Sequence, residues 1–307
     1  MNDVSRSDPL TRARELAPAV AAAADETERI RRIPEPLVDE LHAARLFRML
    51  YPRSVGGDEV APATYIDAVG ELARADGSLR LNDAGRPTVR TWLFPVEQAV
   101  LLNNWDPIGL RGTASESYMV EDLFVPEEFT GTREDPSLRR EPGALYAFPQ
   151  QTLYSVGIAS VALGIARGML DAFVELASRK TPRGTGRLAD NSVIQAKVAH
   201  AEARLGAASI YLLETVGEIY RRAGPTAPID VMDRARARLA GSHAISSAVA
   251  VADYTYKAAG VDAIFPDSPF ERRFRDIHTL SQQIQSRDAH YEAVGQVLLG
   301  HPPEVFF

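Results

Sequence analysis

The chain has 307 residues, 45% of them apolar and 24% charged, with a formal net charge of −7 at pH 7. That apolar content supports a sizeable core in one large domain or two to three smaller ones, and basic residues scattered among acids leave no nucleic-acid footprint. Cysteine is absent, which excludes disulfides, thiolate metal sites and a cysteine nucleophile.

Taken in chain order, the amino terminus has no charged-then-apolar leader pattern, and no run of about 18 apolar residues reads as a membrane span. The expectation is a cytoplasmic protein with neither a nucleic-acid nor a membrane partner. Residues 8 to 30 and 34 to 50 read as two helices, the second entered through Ile33-Pro34 and closed before Tyr51-Pro52. Gly56-Gly57 marks a turn, after which Tyr65, Ile66, Val69 and Leu72 keep a helical period up to Asp76-Gly77.

Between Gly85 and Glu128 the pattern changes to short β-rich runs, from Thr88 to Phe94 and from Tyr118 to Val125, read as a segment of about three strands. So small a sheet has to lean on neighbouring helices. From Gln151 to Arg179 a helix carries two apolar stripes, Val156, Leu163, Leu170 and Val174 on one side and Ile158, Ile165, Met169, Ala172 and Leu176 on the other. A helix apolar on two sides is buried on two sides.

Residues 190 to 222 give a clean seam through Ile194, Val198, Ala201, Leu205, Ala208, Leu212 and Ile219. Residues 229 to 259 are dense in Ala, Ser and Gly and permit close helix approach, and a last helix is expected over roughly 275 to 299. Four long helices with short connections predict an antiparallel bundle. Pro182 to Gly186 and Gly131 to Gly143 read as loops.

Several strings, in this order, resemble the acyl-CoA dehydrogenase superfamily. They are Ile33-Pro34 through Leu46-Phe47-Arg48 to Pro52, Gly109-Leu110-Arg111-Gly112-Thr113-Ala114-Ser115 with Val120 to Pro126 behind it, and Pro269-Phe270-Glu271-Arg272-Arg273-Phe274-Arg275-Asp276. The Gly109 to Ser115 string and Arg275-Asp276-Ile277-His278 are most similar to the two-component flavin-dependent monooxygenase branch. The resemblance implies a mainly α fold: an N-terminal helical domain (1–84), a truncated β-domain (85–130) and a C-terminal four-helix bundle (145–307). The truncation is an internal deletion after Ser78, where the end of a family helix runs almost directly into Gly85-Arg86-Pro87.

The same resemblance implies a flavin-dependent oxidoreductase using FAD or FMN, a separate flavin reductase, a small organic substrate and a homo-oligomer, dimer or tetramer. It places Arg179 on the flavin phosphates of a neighbouring subunit, a task suited to a bidentate, permanently charged guanidinium. Gly112, Thr113 and Ser115 would approach the flavin ring edge, and Arg275 would serve cofactor or partner. Solvated ion pairs and a tight turn account for these residues equally well. The catalytic base is unknown: Gln283 stands at the expected position of a histidine and cannot accept a proton near neutral pH.

Two alternatives stand beside this reading, a non-catalytic oligomeric interaction protein and an acyl-CoA dehydrogenase proper. The second needs a carboxylate, for which Glu214 and Glu292 are available by type. His278 and His290 are wrongly spaced for a metal pair, so no metal is expected. His243 beside Ser242, Ser246 and Ser247 lacks a nucleophile-elbow context. Trp92 and Trp105 read as core or as flavin-adjacent packing, with core favoured.

Overall fold

The computed structural model describes residues 8–75, 90–132, 139–223 and 229–303. The expected helix end at Asp76 to Ser78, the expected boundary at residue 84, Gly85 to Val89 and part of the Gly131 to Gly143 loop lie outside the described residues.

The chain opens with α1 (Pro9–Ala22), α2 (Ala24–Ile30), α3 (Glu35–Ala43) and α4 (Pro62–Ala75). Asp8 starts α1 by accepting from the Leu10 amide. The single helix expected over 8 to 30 is broken at Ala23, and the one expected over 34 to 50 stops at Ala43. There Arg45 turns into the left-handed region at φ 61 and a 3-10 turn, Leu46–Arg48, follows. A left-handed residue cannot continue the i to i−4 ladder, so the apolar residues beyond it fold back as a turn.

Three long helices form the body of the molecule: α5 (Gln150–Arg179), α6 (Ser192–Arg222) and α7 (Val231–Ala259). Asn191 caps α6 through the Val193 and Ile194 amides, and Asp230 caps α7 through the Asp233 amide. Helix α5 packs against α4 on one side and α7 on another, while α6 packs on α7. Val156, Ile165, Met169 and Phe173 of α5 are fully buried. Val174 departs from its expected stripe and is half exposed. Small residues on α7 do permit close approach, since a Cβ on Gly241 would lie 2.8 Å from the Ser155 hydroxyl of α5. Helix α5 is the one described helix long and apolar enough to cross a membrane, which the sequence reading did not single out. Most of that apolar stretch is buried inside the bundle.

The fourth long helix is not continuous. It is divided into α8 (Glu271–Ser281), a 3-10 turn (Ile284–Ser286) and α9 (Ala289–Leu298). Gln283 (ψ 158) and Arg287 (ψ 138) are extended and bracket the turn, so the chain crosses the end of the bundle instead of running along it.

The β-segment also differs from the expectation. Four short strands, β1 (Arg90–Trp92), β2 (Val100–Leu101), β3 (Tyr118–Met119) and β4 (Thr130–Thr132), form two separate antiparallel pairs, β1 with β4 and β2 with β3. The stretch Val120 to Val125 forms no strand. Two strands cannot cover each other's faces, and Trp92, Leu93, Val100, Leu101, Tyr118, Phe124 and Phe129 are all at least half exposed.

Candidate active site

The loop from Trp105 to Ser115 is held against α8. The Leu110 amide donates to Asp276 Oδ1 at 2.5 Å, deep in the interior. Arg275 donates to the Ile108 carbonyl. Gly109 is required between them, since a Cβ there would lie 2.4 Å from the Arg275 backbone. Leu110 (φ 54) and Ala114 (φ 45) hold left-handed backbone without being glycine. Such conformations persist only where the surroundings impose them. Inside the loop, the Trp105 indole N–H and the Thr113 hydroxyl both donate to the Leu110 carbonyl, at 3.2 and 2.9 Å. Ser115 Oγ lies 3.0 Å from Thr113 Oγ1.

The inner face of this loop closes a cavity of about 300 Å³. Leu41, Leu46, Phe47 and Met49 supply one wall, Tyr65, Val69 and Leu72 of α4 a second, and Tyr154, Gly157, Ile158 and Val161 of α5 a third. Trp105 and Ser115 come from the loop, and Gln283, Ile284 and Gln285 from the break between α8 and α9. Among the described residues no charged side chain lines it. The Tyr154 hydroxyl is held by Gln150 at 2.5 Å. The side-chain oxygen of Gln283 is buried with no hydrogen-bond partner, an arrangement that carries a desolvation penalty until a donor arrives.

Behind the Ile284 wall sits a buried pair, Arg238 and His290. His290 Nε2 lies 2.6 Å from the Ile284 carbonyl, which can only accept, so Nε2 carries a proton towards it, and Arg238 Nη1 lies 3.1 Å from Nε2 and 3.4 Å from Nδ1. Burial pushes the His290 pKa down and the Arg238 charge pushes the same way. Burial lowers the Arg238 guanidinium to about 10.

Of the residues singled out from the sequence, Ser115 and Gln283 line the cavity, and Gly112 and Thr113 are buried in the turn beside Ser115. Arg275 is occupied: it grips Glu271 at 2.5 and 2.8 Å, Glu28 at 2.7 Å and the Ile108 carbonyl. Arg179 is not brought to the cavity. It ends α5 as an exposed residue, paired at 3.2 Å with equally exposed Glu175. Glu214 and Glu292 are exposed and outside the lining. Among the described residues no cluster of His, Cys, Asp or Glu could hold a metal, and His278 lies 3.0 Å from Asp253.

Neither tryptophan is core as expected: Trp92 is half exposed on β1, and Trp105 is half-buried at the cavity. Trp92 lies on a strand with only one neighbour to cover it. Tyr65, Tyr154, Phe47 and Gln285 were missed as cavity residues. The apolar among them obey the same helical spacing as core positions, so periodicity carries no signal that separates wall from core.

Residues 156–287 match the family described as acyl-CoA dehydrogenase, C-terminal domain. The carboxy-terminal part of the chain thus resembles the acyl-CoA dehydrogenase C-terminal domain. An indole-3-acetate monooxygenase of Pseudomonas putida is 32% identical over 217 residues, 70% of this chain and 55% of that protein. A second indole-3-acetate monooxygenase, from Acinetobacter baumannii, is 23% identical across 92% of this chain and 91% of its own length. That alignment spans 359 positions, more than this chain contains, so the relative carries internal stretches without counterpart here. Among solved structures, XiaF from a Streptomyces species in complex with FADH2 and glycerol superposes with a TM-score of 0.87 at 18% identity, over 98% of this chain and 97% of that one.

Proposed function

We propose that this chain is the oxygenase component of a two-component flavin-dependent monooxygenase, hydroxylating a small aromatic substrate in the apolar cavity. The observation that carries the reading is that cavity: walled by aromatic and aliphatic side chains, with no charge among its described lining residues, and closed by the Trp105 to Ser115 loop. Such a site excludes water from a reactive intermediate and accepts a flat, neutral ring. When bound, reduced flavin supplies the electrons and the oxygen activation. What this chain contributes is positioning and desolvation.

The residues fit the neutral ring of FAD or FMN and not its phosphates. Ser115, with Thr113 and Gly112 behind it, offers hydroxyls and backbone donors at the cavity edge, while no cation among the described residues lines the cavity. The phosphates then lie outside it and call for a guanidinium from elsewhere. Arg179 of a second copy meets that need, because its own Glu175 partner is a weak, solvated one. The functional unit is therefore a homo-oligomer supplied with reduced flavin by a separate reductase, as expected of a cytoplasmic enzyme. Arg275 acts indirectly, holding Ile108 in place. Dehydrogenation of a thioester would need a carboxylate at the cavity, and none of the described residues lining it is one.

The test is oxygen consumption and product formation by the purified protein with an NADH-driven flavin reductase and a panel of small aromatics. Hydroxylated product that disappears when FAD and FMN are both omitted supports the reading. A folded oligomer that leaves every aromatic unchanged while reduced flavin is supplied refutes it.

A further inference from the structure

We propose that Gln283 selects the substrate: the cavity takes an uncharged heteroaromatic whose ring N–H donates to the Gln283 side-chain oxygen. This inference rests on the reading of the cavity as a substrate site. Of the buried side-chain atoms left without a hydrogen bond among the described residues, the Gln283 oxygen is the one on the cavity wall. Of the other polar groups there, Tyr154 is engaged by Gln150, Ser115 by Thr113 and the Trp105 N–H by the Leu110 carbonyl. An unpaired buried acceptor costs stability until a donor meets it, so a ligand bearing one gains what a donor-free analogue cannot.

Two further features narrow the ligand. Among the described residues no cation faces the cavity, so a carboxylate-bearing ligand would be desolvated without compensation. None of the described lining residues is a carboxylate, histidine or lysine either, so a phenol would have to react without losing its proton to them. An N–H heteroaromatic of the indole type is electron-rich in its neutral form and needs no such base. The α8 to α9 break is what makes the contact possible, because the extended Gln283 backbone leaves the helix line just before the 3-10 turn.

Calorimetric titration of the full-length protein tests this directly with indole, benzofuran and indole-3-acetate. Benzofuran has the same outline with an oxygen in place of the N–H. Indole is expected to bind saturably and about tenfold more tightly than benzofuran, the usual worth of one such bond, with indole-3-acetate the weakest. In Gln283→Leu the preference for indole over benzofuran is expected to vanish. Equal binding of indole and benzofuran by the unmodified protein would overturn the proposal, as would tighter binding of indole-3-acetate. So would a preference that survives in a folded Gln283→Leu protein. Reduced flavin titrated in parallel separates the two claims. Indole selectivity without flavin binding would sink the monooxygenase reading alone, and flavin binding without selectivity would sink this one alone.

Discussion

The helical bundle and the β-segment treat their apolar residues in opposite ways. In α5, Ile165, Met169 and Phe173 are fully buried. Around β1 to β4, Trp92, Leu93 and Phe124 stand in the open, Phe124 at 84% exposure. The difference follows from backbone chemistry. A helix satisfies its own amides and needs neighbours only for its side chains, whereas a strand needs neighbours for both, and each strand here has one. The described bundle is therefore well covered and the described strands are not. Their exposed side chains are apolar surface of the kind that recruits another chain.

The comparison breaks most sharply in the bundle. Phe173→Ala should lower unfolding stability by about 3–5 kcal/mol in denaturant titration, the usual cost of emptying a fully buried aromatic site. A loss as small as that of a surface change would mean the bundle is not the stabilising unit.

The loop that closes the cavity is the next test. Asp276→Ala removes the acceptor of the Leu110 amide and should cost about 1–3 kcal/mol. It should also expose the Trp105 to Ser115 stretch to hydrogen exchange and proteolysis. Unchanged exchange at Leu110 would show that the loop holds itself.

Acid should act in two steps, both in the helical part. The His290 pKa is lowered from its ordinary 6.5, so the unfolded chain takes up a proton that the native one resists. Its stabilising contribution is present above about pH 6.5 and is lost as pH falls below that. Removing the charge with Arg238→Met should shrink this first step. Burial raises the Asp58 pKa, but hydrogen bonds from Arg12 and Arg45 outweigh it and hold the carboxyl below its usual 3.8. That contribution is present above this value and disappears as pH falls through the lowered one. Melting temperatures from pH 8 to 2 would reveal both limbs, and a flat profile between pH 8 and 5 would contradict the first.

Smallest of all is the expected effect of Phe124→Ser on stability, within about 0.5 kcal/mol. Its effect belongs in sedimentation, where loss of apolar surface should reduce self-association. A large stability loss would mean the β-face is covered within the protein.

The long bundle helices were legible because their apolar residues recur every three to four positions over eight turns or so, as in the α6 seam at Leu205, Leu212 and Ile219. The turn at Gly109 to Ser115 was legible for a different reason, since glycines and small hydroxyl residues mark places where backbones meet. The break at Gln283 was not: nothing in the helical spacing on either side of it announces two extended residues, and tertiary contacts decide it. The strand pairing was misjudged because β-propensity reports that a run can pair and not with what. The cavity walls were hidden among core positions. Leu41, Val69 and Leu72 border the cavity and belong to the buried core at once, and Phe47 packs against that core from the cavity wall.

The central claim is that a reduced flavin ring enters the cavity beside Trp105. The most direct measurement is an anaerobic titration with reduced FAD and FMN that follows tryptophan fluorescence in the unmodified protein and in Trp92→Phe and Trp105→Phe. The account predicts saturable quenching that persists in Trp92→Phe and is lost in Trp105→Phe. Quenching that depends on Trp92, or none at all in a folded protein, would contradict it.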